Sequence, residues 1–224
     1  MAELVHATRF EELPAELPVF PLSGVLLLPR GRLPLNIFEP RYLAMIKDAL
    51  APPRLIGMIQ PQDASEERNP DASPRLYGIG CAGRITSFSE TEDGRFLITL
   101  AGVTRFEVES EIAMRSGYRR VKPRWDRFRS DFAPDESAID RQALFKSLKP
   151  FFDARGLKAD WDQVDKTGDE RLIAMLSMIC PFEPPEKQAL LEAKDLAART
   201  DILKGLLDMA LATPPEAPTE LRKH

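Results

Sequence analysis

The sequence is poor in the residues from which metal sites and nucleophilic active sites are usually built. It has two histidines, His6 and His224, both close to the chain ends, and two cysteines, Cys81 and Cys180, far apart in the chain. With no CxxC pair and no histidine nearby, neither a zinc site nor a Cys–His catalytic pair is expected. The cysteines are expected to be reduced and buried, although a single disulfide between them stays open.

The common phosphate-binding and nucleophile motifs are also missing. The chain contains no GxxxxGK[ST] loop and no GxSxG turn. Gly78 and Gly80 do not open a helix after a strand, as a dinucleotide-binding loop would, because they lie inside a predicted strand. No cofactor is therefore expected.

Acidic residues offer the remaining route to catalysis. The pairs Asp135/Glu136 and Asp169/Glu170 could each supply a general acid and a general base. Acidic residues also favour the first turn of a helix, and this structural interpretation suits both pairs better. Cys81, within a predicted strand and without a base, is likewise expected to be core packing. We therefore expect no enzymatic activity.

No charge of one sign dominates, and no apolar run is long. The 31 lysines and arginines against 35 aspartates and glutamates leave a net charge of −4, which indicates no polyanionic partner. No apolar run approaches the roughly 20 residues of a membrane span. The opening residues, MAELVHAT, lack the basic and apolar regions of an export signal. A cytoplasmic protein without a membrane partner is expected.

The first half of the chain has the pattern of a β-rich domain with one helix. Two short apolar runs with prolines predict edge strands or extended segments and not central strands, and Pro40 suits the first turn of a helix. An Asp-Gly turn between two long β-rich runs predicts a hairpin. The predicted order is strand Leu17–Leu22, strand Leu33–Phe38, helix Pro40–Leu50, strand Arg54–Gln60, mobile loop Gln62–Pro74, hairpin Leu76–Ser89 with Arg95–Glu109, and strand Tyr118–Trp125.

The second half has a helical period. A helix is expected to open at Pro134, to be kinked or shortened by Pro150 and to stop at Gly156. Asp169–Cys180 is apolar nearly all round, which predicts a central helix of a bundle. Two more helices are predicted at 185–193 and 196–211, with a frayed tail after residue 213. The prediction is an α+β protein with a β-rich domain at 1–130 and a helical domain at 131–224.

One segment has the composition of a nucleic-acid-binding strand. Arg115–Arg129 carries seven basic residues and one acidic residue, with aromatic residues between them. The alternative is an exposed edge strand, in which basic side chains prevent unwanted pairing and the aromatic rings face inward. The net negative charge of the chain favours the edge strand and argues against nucleic acid as a partner. The candidate contacts are Arg119, Arg120, Lys122, Arg124 and Trp125.

Three stretches near the start of the chain are distinctive: LPVFPL (17–22), GVLLLP (24–29) and LPLNIFEPRY (33–42). They resemble the N-terminal domain of Lon-type proteases, and the IFEPRY form is similar to the small bacterial proteins that consist of this domain alone. The resemblance spans about residues 15–211 in pieces, and these three stretches are its most specific part. Weaker parts are Gly80–Ile85, the Asp93–Gly94 hairpin, GVTRF (102–106) and PPEKQALLE (184–192).

The resemblance implies a PUA-like pseudo-barrel of strands followed by a small helical bundle. It also implies a protein that captures unfolded or extended polypeptides or a protein partner, through an apolar groove or by strand addition. The ATPase and Ser–Lys protease modules that follow this domain in Lon are not found in the sequence, so a non-catalytic protein is expected. RNA binding, which some PUA-like folds perform, is the alternative.

The IFEPRY motif supplies the candidate polypeptide contacts. Glu39 stands at the N-cap of the predicted helix, although Glu is not a favoured cap. It is expected to pair with Arg41 or with a distant arginine such as Arg105 rather than to bind a ligand. Phe38 and Tyr42 are more often core residues than binding platforms. The candidates are Phe38, Glu39, Arg41 and Tyr42.

Overall fold

The computed structural model describes residues 9–63, 74–135 and 137–212. Both histidines, Glu136, most of the predicted loop Gln62–Pro74 and the predicted tail lie outside these ranges. The strands are β1 (Leu17–Pro21), β2 (Arg32–Ile37), β3 (Leu55–Ile59), β4 (Ile79–Glu90), β5 (Phe96–Arg115) and β6 (Tyr118–Arg124). The α-helices are α1 (Pro40–Ala49), α2 (Arg141–Ala154), α3 (Trp161–Lys166), α4 (Asp169–Ile179), α5 (Pro184–Glu192) and α6 (Leu196–Ala212).

The long strand β5 closes the sheet. Its residues 96–101 pair with β2, residues 96–107 pair with β4, and residues 107–115 pair with β6. The sheet order β2-β5-β4-β3-β1-β6 then returns to β5, because β6 pairs with both β1 and β5. Five strands therefore form a closed barrel, and β2 is added outside the circle. The predicted α+β class and the pseudo-barrel are both observed, while the PUA-like comparison stays a prediction.

Close backbone approach at Gly102 and a sharp turn at Gly94 allow β5 to take this path. A Cβ atom at position 102 would overlap the carbonyl oxygen of Leu28. Only glycine therefore lets the segment before β2 lie this close to the strand. Gly94 has a φ of +79°, which glycine adopts without strain, so the predicted Asp93–Gly94 hairpin is present.

The two proline-containing strands occupy different positions. β2 lies at an open edge of the sheet, as predicted. Pro34, which has no amide hydrogen, therefore lies in an edge strand, where proline is tolerated. The edge prediction for Leu17–Leu22 is wrong, because β1 pairs in parallel with β3 and antiparallel with β6. Pro18 is in register with β6 only and Pro21 with β3 only, so each proline interrupts the pairing on one side.

The helical part differs from its prediction at three points. The first helix begins at Arg141 and not at Pro134, because Asp140 accepts a hydrogen bond from the Ala143 amide and caps it. Pro150 does not end this helix, which continues to Ala154 before the positive φ of Gly156. The short helix α3 was not predicted, since six residues are too few to show a helical period.

Asp135 shows why the opening of the helical part was misplaced. Its carboxylate accepts a hydrogen bond from the Leu196 amide at 2.8 Å, so it binds the start of α6, far along the chain. A carboxylate at a helix start was expected, but the helix is a different one. The expected helix-start role of the other acidic pair is observed, because Asp169 and Glu170 are in the first turn of α4.

A buried ion pair joins the barrel to the helices. Arg105 of β5 donates to Asp131 at 2.7 Å, and the two side chains are only 4% and 7% exposed. The same guanidinium donates to the carbonyl oxygens of Leu191 and Ala193 at the end of α5. One apolar cluster, which runs from Phe20 to Leu207, contains residues of both parts. The predicted division at residue 130 stays a prediction.

We expect Arg105→Met to lower the free energy of unfolding by about 3–5 kcal/mol, because it leaves the buried carboxylate of Asp131 without its cation. Urea unfolding followed by far-ultraviolet circular dichroism measures this loss. The control is Arg95→Met, which removes an exposed ion pair with Asp93 and should change the stability little. Equal effects of the two substitutions would contradict the role given to Arg105.

We also expect Cys81 and Cys180 to react slowly with a thiol reagent in the native protein. Both thiols are free and fully buried, as predicted. Burial raises the pKa of the Cys180 thiol to about 12 and raises the pKa of Cys81 further, so little thiolate forms. A colorimetric disulfide reagent should therefore detect both thiols only after unfolding in guanidinium. Fast reaction of either thiol in the native state would place it at the surface.

Candidate functional site

The IFEPRY motif connects the end of β2 to the start of α1. Glu39 has an extended backbone and its side chain makes no cap hydrogen bond to α1. Its carboxylate instead forms an ion pair with Arg41 at 2.8 Å, the first of its two predicted partners. The second predicted partner, Arg105, is bound to Asp131. Both members of the Glu39–Arg41 pair are partly exposed, so the pair contributes little to stability.

The two aromatic residues of this motif have different environments. Tyr42 is 6% exposed and its ring lies 4.2 Å from the ring of Phe20, so it belongs to the core. Phe38 is 62% exposed, and the prediction that it is a core residue is wrong. Strand alternation explains the difference, because the preceding residue, Ile37, points into the core and the chain leaves the sheet after it.

The basic stretch is largely neutralised by neighbouring carboxylates. Arg119 binds both carboxylate oxygens of Glu111, and Arg120 binds Glu16 at 2.8 Å. Arg124 lies 3.9 Å from the carboxylate of Glu107.

The remaining candidates of this stretch, Trp125 and Lys122, do not form an aromatic surface on which nucleic-acid bases could stack. The indole nitrogen of Trp125 donates to the carbonyl of Pro14, and its ring packs against Phe106. Lys122 is exposed. The stretch is not an edge strand, since β6 pairs on both sides, but the aromatic residues Tyr118 and Phe128 do face inward.

A groove with an apolar side lies between α4 and the start of β2. It has a volume of about 470 Å³. The residues that line it, which we name the α4 groove, are Arg30, Gly31, Arg32, Arg171, Met175, Met178 and Ile179. Ligand sites in proteins typically have volumes of roughly 300–1,000 Å³ and apolar linings, so this groove has the size of a binding site.

The apolar side of the groove is a stripe on α4. Met175 is 36% exposed and Ile179 is 58% exposed, while Leu172, Ile173 and Leu176 on the opposite side are buried. The prediction that this helix is central in the bundle is therefore wrong. The signal was present in the sequence, because a helix that is apolar all round needs either complete burial or a partner for its exposed stripe.

The floor of the groove depends on a glycine. The sulfur of Met178 lies against Gly31, and a Cβ atom at that position would overlap it. Arg30, whose φ is +62°, turns the chain at this point and donates to Glu170 at 2.5 Å and to the carbonyl of Ala133. The groove is thus formed where the segment before β2 is held against α4.

Among residues 9–63, 74–135 and 137–212, no three His, Cys, Asp or Glu side chains are grouped as metal ligands. No helix in the same ranges is long and apolar enough to cross a membrane.

Comparison with known proteins agrees with the resemblance in the sequence. The family described as the ATP-dependent protease La (LON) substrate-binding domain matches residues 16–208. Lon protease of Anaeromyxobacter dehalogenans is 28% identical over 204 residues, which cover 88% of this chain and 24% of that protein. Lon protease 2 of Myxococcus xanthus is 29% identical, with the same coverage of both chains. The chain spans about a quarter of the length of these curated relatives.

Two solved structures share the fold. A Lon N-terminal domain protein from Xanthomonas campestris superposes with a TM-score of 0.56, at 22% identity, over 89% of this chain and 99% of that chain. The N-terminal domain of a Mycobacterium avium complex Lon protease superposes with a TM-score of 0.60, at 16% identity, over 86% and 98%. The family match extends from β1 into α6 and so includes both the barrel and the helices. The chain belongs to the Lon substrate-binding domain family.

Proposed function

We propose that this protein binds unfolded or extended polypeptide segments and has no catalytic activity of its own. The observation that carries the proposal is the α4 groove, an exposed apolar stripe beside the open edge of β2. Membership of a family described as a substrate-binding domain supports the same function. We also propose that the protein acts in the cytoplasm.

The side chains of the groove suit the binding of varied sequences. Met175 and Met178 have flexible, polarisable side chains that can adapt to different apolar partners, and such residues are common on promiscuous binding surfaces. Ile179, at the end of the stripe, adds a rigid apolar contact. Binding would be driven by burial of these side chains against apolar residues of the client.

Main-chain pairing with the client would be limited. β2 offers an open edge next to the groove, but Pro34 has no amide hydrogen to donate. We therefore propose that side-chain burial, and not strand addition, supplies most of the affinity.

The absence of catalysis is proposed from the state of the candidate groups. Cys81 is buried and its raised pKa disfavours the nucleophilic thiolate. Asp169 and Glu170 are bound by Arg141 and Arg30, which leaves neither carboxylate free to act as a base. Asp135 is bound by the backbone of α6.

We expect Met175→Gln combined with Ile179→Gln to weaken binding of an unfolded polypeptide by about tenfold, because two apolar contacts are lost. The probe is fluorescein-labelled lactalbumin, kept unfolded by reduction and carbamidomethylation of its cysteines. Fluorescence anisotropy at low and moderate salt measures the affinity, and apolar binding should change little with salt.

Two further variants locate the site. Met114→Gln alters a side chain that is 64% exposed on another part of the surface, and we expect it to bind like the wild type. Phe38→Ser tests the predicted IFEPRY contacts. If Phe38→Ser weakens binding and the double α4 variant does not, the site lies at the start of α1. A labelled single-stranded RNA is the probe for the alternative, and binding of RNA alone, with a steep loss in salt, would contradict the proposal.

A further inference from the structure

We infer that the α4 groove selects apolar polypeptide segments that are flanked by acidic residues. This inference rests on the proposed function and adds the charge of the preferred client. It is based on the three arginines that surround the apolar stripe, Arg30, Arg32 and Arg171.

The first step concerns which of these arginines are available. Arg30 is bound to Glu170 and is therefore neutralised locally. Arg32 and Arg171 are exposed, and neither forms an ion pair with a carboxylate of the described residues. The groove thus presents two positive charges without an internal partner beside Met175 and Ile179.

The second step is the contrast with the other cationic surface. On β6, Arg119, Arg120 and Arg124 each have a carboxylate partner within 4 Å. The whole chain has a net charge of −4, so unpaired arginines are not a consequence of a general basic excess. Arg32 and Arg171 lie where the surface is also apolar, and this combination attracts an acidic and apolar ligand.

The third step is the position of Arg171 in its helix. It lies in the first turn of α4, where the positive end of the helix dipole disfavours a cation and where Asp169 and Glu170 satisfy the usual preference. Local helix stability therefore does not explain an arginine here. Such a departure from a local rule is typical of a residue that serves binding.

Helix geometry gives the length of the client segment. From Arg171 to Ile179 the stripe extends about 12 Å along α4, at roughly 1.5 Å per residue. An extended polypeptide covers this distance with about four residues. A segment whose apolar residues lie over Met175 and Ile179 would therefore place a flanking carboxylate within reach of Arg171 at one end.

The test uses three short fluorescein-labelled peptides with the same centre of Leu and Phe, flanked by Glu, by Gln or by Lys. We expect the Glu-flanked peptide to bind about tenfold tighter than the Lys-flanked peptide at low salt, with the Gln-flanked peptide between them. The difference should shrink as salt is added, because the arginines are exposed.

Arg32→Glu combined with Arg171→Glu should reverse the order of the three peptides, so that the Lys-flanked peptide binds tightest. The matched control is Lys146→Glu combined with Lys158→Glu, which changes the net charge equally at exposed positions outside the groove lining. This control should keep the preference for the Glu-flanked peptide. Circular dichroism establishes that all variants are folded.

The outcomes separate the two proposals. If all three peptides bind equally and only the Met175→Gln, Ile179→Gln variant weakens them, the groove binds polypeptide but the acidic preference is overturned. If no peptide binds, the proposed function fails as well. If single-stranded RNA binds in place of the peptides and loses affinity in the Arg32→Glu, Arg171→Glu variant, the arginines serve a phosphate backbone and both proposals are overturned.

Discussion

The polar contacts between the barrel and the helices hold the rest of the structure in place. Arg105 links β5 to the segment after β6 and to the end of α5 through one guanidinium. Lys187 adds a second link, since its ammonium donates to the carbonyls of Gly24 and Met178. Gln60 adds a third through Gln188. Because these groups are directional, they fix how α4 and α5 lie on the barrel, which apolar packing alone would leave less specific.

The groove is a product of that arrangement and not of either half alone. Arg30 precedes β2 and Arg32 is the first residue of β2, whereas Arg171 and the apolar stripe come from α4. Lys187 bonds to both sides of this junction, and burial lowers the pKa of its ammonium group. A surface assembled in this way has a defined shape, while its two methionines keep the contacts adaptable.

The sequence was sufficient for most of the fold because its signals were local. The Asp93–Gly94 hairpin, the start of α1 at Pro40 and the apolar stripes of the later helices depend on neighbours in the chain. The interior position of β1 could not be predicted, because it depends on pairing with β3 and β6 far along the chain. The hydrogen bond from the Leu196 amide to the Asp135 carboxylate could not be predicted either, because the two residues are far apart in the chain.

The candidate site was only partly visible in the sequence. The IFEPRY motif drew attention to a surface on which Phe38 is an exposed aromatic residue. The apolar character of α4 was noticed, but a sequence does not tell which side of such a helix lacks a neighbour. The pairing of β6 arginines with Glu16, Glu107 and Glu111 was likewise hidden, since composition counts charges and says nothing of distances.

The proline in β2 has a consequence for the protein's own solubility. A protein that holds unfolded chains keeps aggregation-prone segments at high local concentration beside its surface. An unbroken edge strand there would act as a template on which such segments stack into fibrils. Pro34 interrupts the row of amide donors at this edge, so the edge is an incomplete template for pairing with another chain.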